Sequence, residues 1–150
     1  MEIRLARTTD ADSVNELLEQ LGYLQDGRAK TAARIQTWAD NPASAAYVAE
    51  AEGQLLGLVA VHVYPFFERE GASARITALV VSDRVRGQGI GSQLVASAES
   101  FAASQGCVRV ELTSSNHREA AHSFYQSNGY TNQAPTSSLF RRDLAPGLPR

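Results

Sequence analysis

The stretch RVRGQGIGSQLV, Arg84 to Val95, sets Gly87, Gly89 and Gly91 at alternate positions directly before an apolar helical pattern. Glycine there costs stability, so either the turn is unusually tight or something approaches the backbone closely. Amides of a glycine turn at a helix N-terminus can form a concave ring of N–H donors, an arrangement suited to phosphate oxygens. Two nucleotide loops of this kind do not fit. The G-x-G-x-x-G fingerprint needs a third glycine where Ser92 stands, and it follows the first strand of its domain, whereas several strand signals precede it here. The G-x-x-x-x-G-K-[ST] loop needs a lysine that this segment lacks. A structural turn without ligand also accounts for the glycines.

The pattern that remains is Arg86-Gly87-Gln88-Gly89-Ile90-Gly91, after the strand ITALVV and before a long amphipathic helix. It resembles the signature of the GNAT superfamily of acetyl-coenzyme A-dependent N-acetyltransferases: a glutamine or arginine, two residues, then G-x-G or G-x-A. A second motif agrees. Asn116 to Tyr130 reads NHREAAHSFYQSNGY, similar to the family's asparagine, alanine-containing helix and tyrosine, closed by G-F or G-Y. The resemblance covers Ser73 to Tyr130 and, over the first 45 residues, rests on element order alone.

The resemblance implies an α/β (α+β) fold with a mixed, mostly antiparallel central sheet of six to seven strands and about four helices, in one domain spanning 1–150. It implies acetyl-CoA as co-substrate, no metal, and direct attack by a primary amine in a ternary complex. The pyrophosphate would lie on Arg86, Gly87, Gln88, Gly89, Ile90, Gly91 and Ser92. Strands four and five would splay, with pantetheine pairing to the backbone of Leu79, Val80 and Val81. Asn116 would contact coenzyme A, although with Glu119 three residues on it also reads as the N-cap of a capping box.

Acyl transfer from a thioester to an amine needs a positioned thioester, a neutral amine, donors for the oxyanion and a proton for the leaving thiolate. Tyr125 is the general acid that the resemblance implies. A phenol of pKa about 10 is protonated at neutral pH and can donate to a thiolate whose acid has pKa about 8.5. Beside Phe124 it also reads as a core aromatic. The base departs from the family pattern: where many relatives carry glutamate, two residues before Leu79, this chain has Thr77, which cannot act as a base near neutral pH. His62, Glu111, His117 and His122 are the candidates, histidine titrating in the right range. His117 and His122, five apart, suit one helical metal site poorly, and no zinc motif is present. Tyr64-Pro65-Phe66-Phe67 followed by Glu68-Arg69-Glu70 could border an acceptor pocket or be a plain hairpin loop. Cys107 reads as a small buried residue, not a nucleophile.

The elements that must position these groups follow from periodicity. IRLART alternates as a strand. Asp10 or Asp12 is a candidate cap for a helix with Val14, Leu17, Leu18 and Leu21 on one face. A weaker helix is predicted over Arg28 to Asp40, with Ala32, Ile35 and Ala39 inward, stopped by Asn41-Pro42. Glu52-Gly53-Gln54 signals a hairpin between two strands. After FFEREGAS comes a strand over Ala74 to Val81. Ile90, Leu94, Val95, Ala98, Phe101 and Ala102 mark a helix ending at Gly106. VRVELTS is a strand, Glu119 to Asn128 a short helix stopped by Gly129, and SSLFRRDL a final strand. The tail, residues 145–150, is predicted to fray.

Whole-chain properties bound the partners. The 150 residues carry 43% hydrophobic and 20% charged residues, ordinary for a globular protein with a single core. A net charge of −2 gives no electrostatic reason to expect nucleic acid or acidic membrane as the main partner. One cysteine excludes an intrachain disulfide. The charged start and the lack of a run of roughly 20 apolar residues predict a cytoplasmic protein without membrane span. The expected partner is a small-molecule or peptide amine, with the chain monomeric or a homodimer. Two rivals are a non-catalytic acyl-CoA-binding module, favoured by Thr77, and a nucleotide-binding module.

Overall fold

A computed structural model describes residues 1–114, 116 and 118–145. His117 and the tail residues 146–150 lie outside the described residues, so the readings made for them go no further. Met1–Thr113 and Ser114–Arg150 form two compact units, each taken by itself.

In the first unit, five strands lie in sequence order: β1 (Glu2–Leu5), β2 (Ser44–Ala51), β3 (Gln54–Pro65), β4 (Ala72–Val81) and β5 (Cys107–Glu111). The first three pairings are antiparallel and β4–β5 is parallel. Helices α1 (Ala11–Leu21) and α2 (Arg28–Asp40) separate β1 from β2, and α3 (Ile90–Ser104) joins the parallel pair. The hairpin between β2 and β3 turns on Glu52 and Gly53, with φ of 53° and 77°. Two successive positive φ values match the twist of the flanking strands.

Alternate residues of the sheet feed two cores. Val59, Val61, Val63, Ala74 and Ile76 pack with Ile90, Leu94, Ala98 and Ala102 of α3. Leu55, Leu58, Val48 and Val80 pack with Val14 and Leu17 of α1 and Ile35 of α2. The period-2 rule would put Ile76 and Val80 on one face, yet they fall in different cores. The register explains this: Ala60 faces Ala78 while Val61 faces Ile76, leaving Thr77 as the extra residue of a β-bulge. The bulge reverses the parity of β4, so Leu79 and Val81 join the α3 side.

Gly57 sets how closely α3 approaches. A Cβ there would stand 2.8 Å from Leu94 Cδ1 and 2.9 Å from the Val80 carbonyl oxygen. The leucine tip can move, but the carbonyl belongs to a paired strand. Gly57→Ala is therefore expected to cost about 1–3 kcal/mol through overpacking. Thermal unfolding should register it as a midpoint several degrees lower, and an unchanged midpoint would refute it.

Arg4 ties the sheet edge to α1. Its guanidinium donates to Glu50 at 2.7 Å and to both carboxylate oxygens of Asp10 at 2.8 and 3.0 Å. Arg4 first, and then the backbone N–H of Arg7, hold the Asp10 carboxyl below the usual carboxylate range. Asp10 occupies the N-cap position of α1 but makes no side-chain cap hydrogen bond, its oxygens being committed elsewhere. Asp12 lies inside the helix and pairs with Arg28.

Three expectations are corrected. On the inner side of α2, Ile35 is buried and Ala32 packs against the core as expected, but Ala39 is exposed, and Thr31 is buried beside them. The sheet has five strands among the described residues instead of six to seven. Residues 137–144 form no strand, and Leu139, Phe140 and Leu144 are exposed. Their order explains it: two adjacent apolar residues followed by Arg141, Arg142 and Asp143 give no alternating face to bury. In the second unit α4 (Glu119–Ser127) has the predicted extent, and Gly129 follows it with φ of 92°. Among the described residues no helix is long and apolar enough to cross a membrane.

Candidate active site

The glycine turn links β4 to α3. Ser82, fully buried, anchors its start by donating its backbone N–H to Leu56 at 2.8 Å, and Ile90, also buried, anchors its end. Gly87 and Gly89 have φ of 81° and 79°, a left-handed backbone that favours glycine. Around both the space where a Cβ would sit is open. Protein packing thus does not demand glycine; the backbone conformation and access from outside do. The α3 ladder begins with Gln93 donating to Gly89, at 3.2 Å. The amides of Ile90, Gly91 and Ser92 precede that bond and have no carbonyl four residues back within the helix. Gly89 supplies no side-chain cap, so these donors face outward at the positive end of the helix dipole.

Next to this turn β4 has an open edge. Its parallel pairing with β5 runs from Ala72 opposite Cys107 to Arg75 opposite Glu111 and stops there, while pairing with β3 continues to Val81 opposite Gly57. Among the described residues, 76–81 therefore have a strand on one side only, which is the splay the sequence reading expected. Leu79, Val80 and Val81 lie on that edge. Arg86 reaches back from the turn to donate to the Val81 carbonyl at 3.3 Å, bracing the turn against the strand. Cys107 is half-buried and packs on the α3 side of the sheet. Burial raises its thiol pKa, which disfavours the nucleophilic thiolate.

Thr77, the bulge residue, is exposed. Of the candidate bases, His62 and Glu111 fall in one row: Ser44 faces His62, His62 faces Arg75, and Arg75 faces Glu111. His62 Nδ1 and Ser44 Oγ share a hydrogen bond of 2.8 Å. Glu111 Oε1 accepts from the Tyr64 hydroxyl at 3.3 Å. The connection after Tyr64 is a closed hairpin loop, Phe66 N–H donating to Gly71 at 3.0 Å. Within it Arg69 covers the Phe66 ring at 4.3 Å, and Phe67 is wholly exposed. Sequence reasoning singled out neither Arg75 nor Arg109. The available signal was the alternation Ser73, Arg75, Thr77, polar at every second position of a strand that otherwise reads as apolar.

In the second unit Tyr125 is half-buried on α4, its ring edge-on to Phe124 at 5.3 Å and to Tyr130 at 6.1 Å. Burial pushes its phenol above the ordinary range near 10, with the Arg118 charge pulling back less strongly. His122 is half-buried on the same helix. Asn116 is exposed and lies ahead of α4, whose N-cap position is Arg118 with no side-chain cap bond. The capping-box reading of Asn116 is thereby corrected.

A mixed sheet with a parallel pair that opens beside a glycine turn, feeding a helix N-terminus, defines an acyltransferase of the acyl-coenzyme A class. The model of the acetyltransferase (GNAT) family matches residues 11–130, and the chain belongs to that family. It is 34% identical over 134 residues to the aminoalkylphosphonate N-acetyltransferase of Salmonella typhimurium, covering 86% of this chain and 84% of that protein. The glucosamine-6-phosphate N-acetyltransferase of Arabidopsis thaliana superposes with a TM-score of 0.81 at 24% identity, over 96% of this chain and 98% of that one. An aminoglycoside N-acetyltransferase, AAC(6')-Iy, in complex with CoA gives a TM-score of 0.79 at 17% identity, over 96% of this chain and all (100%) of that one. The two structural likenesses establish the shared fold.

Proposed function

We propose that this protein transfers the acetyl group of acetyl-CoA to a primary amine by direct attack in a ternary complex. The observation that carries the reading is the continuity of open donors: the unpaired edge of β4 leads straight to the glycine turn and the first amides of α3. Arg86, Gly87, Gln88, Gly89, Ile90, Gly91 and Ser92 would hold the pyrophosphate, and the open space at Gly87 and Gly89 leaves the backbone accessible to it. Leu79, Val80 and Val81 would pair with the pantetheine arm and offer an amide to the thioester carbonyl. The bound co-substrate supplies the activated acetyl group. Tyr125 would protonate the departing thiolate, its elevated pKa keeping the proton available at neutral pH. Asn116 is assigned to the coenzyme A side through its motif.

With Thr77 unable to take the amine's proton, His62 is assigned that role. Its Nδ1 is engaged with Ser44 while Nε2 makes no hydrogen bond among the described residues. The relative from Salmonella makes aminoalkylphosphonates the first acceptor class to try. The test is a thiol-release assay on purified protein with acetyl-CoA and a panel of amines: aminoalkylphosphonates, amino acids, polyamines, aminoglycosides and peptides. Release that depends on the amine supports the proposal. Tight acetyl-CoA binding with no release for any amine would instead favour the non-catalytic module, and ATP binding alone would end the acyltransfer reading.

A further inference from the structure

The face of the sheet opposite α3 changes character along its length. Toward one end Val48, Leu58 and Val80 are covered by α1 and α2. Toward the other, the same face carries two polar rows in strand register. The first is Ser44, His62, Arg75 and Glu111; the second, two residues along, is Tyr64, Ser73 and Arg109. The apolar row between them, Val63, Ala74 and Val110, points to the α3 side. Directly opposed residues share a face, so Arg75 and Arg109 are diagonal neighbours on adjacent strands.

Their bonding is unusual for that setting. Arg75 is half-buried and stands opposite Glu111, yet no hydrogen bond or ion pair engages its guanidinium among the described residues. Glu111 is turned instead to the Tyr64 hydroxyl. Among the described residues Arg109 has a ring contact alone, 6.0 Å from the centre of Phe66. Between them Ser73 is fully buried and its hydroxyl has no partner among the described residues. Glu111 shares this face with both arginines but forms an ion pair with neither among the described residues. Two guanidinium forks left without a carboxylate partner match an oxyanion, which each can grip in bidentate fashion. Arg75 also occupies the last rung before β4 and β5 part. From there to Leu79 is four residues, roughly 13 Å of strand, a span that a flexible arginine and a short acceptor share.

We propose that Arg75 and Arg109 form the subsite for an anionic end of the acceptor, so that the amine preferred is one carrying a carboxylate or phosphonate a few bonds away. This rests on the acetyltransferase reading and assigns to it a specificity determinant. The experiment compares 2-aminoethylphosphonate, β-alanine and the neutral propylamine, in the native protein and in Arg75→Gln, Arg109→Gln and the double variant. In the native protein the anionic amines should have the higher kcat/KM. The ratio of anionic to neutral kcat/KM should fall about tenfold to a hundredfold for each single variant, carried mainly by KM, as expected for losing a charge-assisted hydrogen bond. The phosphonate and carboxylate arms decide which oxyanion the pair selects.

Calorimetry of 2-aminoethylphosphonate in the presence of CoA reads the same subsite without turnover. Binding that weakens with Arg75→Gln while CoA affinity holds supports the proposal even where no amine releases thiol, an outcome that would sink only the acetyltransferase reading. Equal losses for neutral and anionic amines would overturn the subsite. So would no anionic preference in the native protein, or a loss confined to CoA affinity, which would reassign the arginines to a coenzyme phosphate.

Discussion

Gly89→Val is expected to raise the dissociation constant for acetyl-CoA at least about tenfold while the protein stays folded. The magnitude follows from losing one or two charge-assisted hydrogen bonds of about 1.5–3 kcal/mol each. Two effects of the substitution act together. The residue sits at φ of 79°, where a β-branched side chain is a conformational outlier, and the added methyls would occupy the open space over the amides. That space contains no protein atom within 4 Å of the Cβ position, so the core is not disturbed. Gly106→Val separates the two effects. It has φ of 82° and equally open surroundings, but it lies past the other end of α3. Calorimetry should show uptake lost in the first variant and kept in the second. Native-like uptake in Gly89→Val, or equal losses in both, would remove the glycine turn from the site.

The turn was legible because its signal is local. Glycine spacing, the apolar stripe of Ile90, Leu94, Val95, Ala98 and Ala102, and the stop at Gly106 lie within 20 consecutive residues, and the helix they predict is α3. The hairpin at Glu52-Gly53 and the span of α2 were readable for the same reason. What the sequence hid belongs to pairing between distant segments. The bulge at Thr77 is defined only by which residues of β3 face which residues of β4, and it inverts the faces of Leu79, Val80 and Val81. A reading that counts every second residue from Ala74 to Val81 assigns these three to the wrong sides. Arg75 and Arg109 were hidden likewise: 34 positions separate them, and only the register of β4 with β5 makes them neighbours. In α2 the spacing placed Ala32 and Ile35 inward correctly but could not tell that Thr31 is buried while Ala39, at the last turn, is exposed.

Those same pairings bear on how the chemistry divides among residues. A glutamate at the bulge would place a carboxylate beside the open edge; Thr77 places a hydroxyl there. The polar groups in the rows beyond it include His62, held by Ser44, and Glu111, held by Tyr64.

Tyr125→Phe should lower kcat about 10²–10⁴-fold, the usual range for removing a general acid, with acetyl-CoA affinity unchanged. Phenylalanine keeps the edge contacts with Phe124 and Tyr130, so the ring's packing survives and only the hydroxyl is lost. The pH dependence supplies a second readout. Burial raises the folded phenol pKa above its unfolded value near 10, so the protonated donor form persists through neutral and mildly alkaline pH. Activity should fall only as pH rises through that raised value, and the alkaline limb should vanish in Tyr125→Phe. Stability follows the same sign: the contribution from favouring the neutral phenol is full below about pH 10 and fades as pH climbs through the folded pKa. If Tyr125→Phe keeps native kcat and the native alkaline limb, the thiolate takes its proton elsewhere. If neither protein turns over any amine while both bind acetyl-CoA, the packing of that ring is structural and the chain is a binding module.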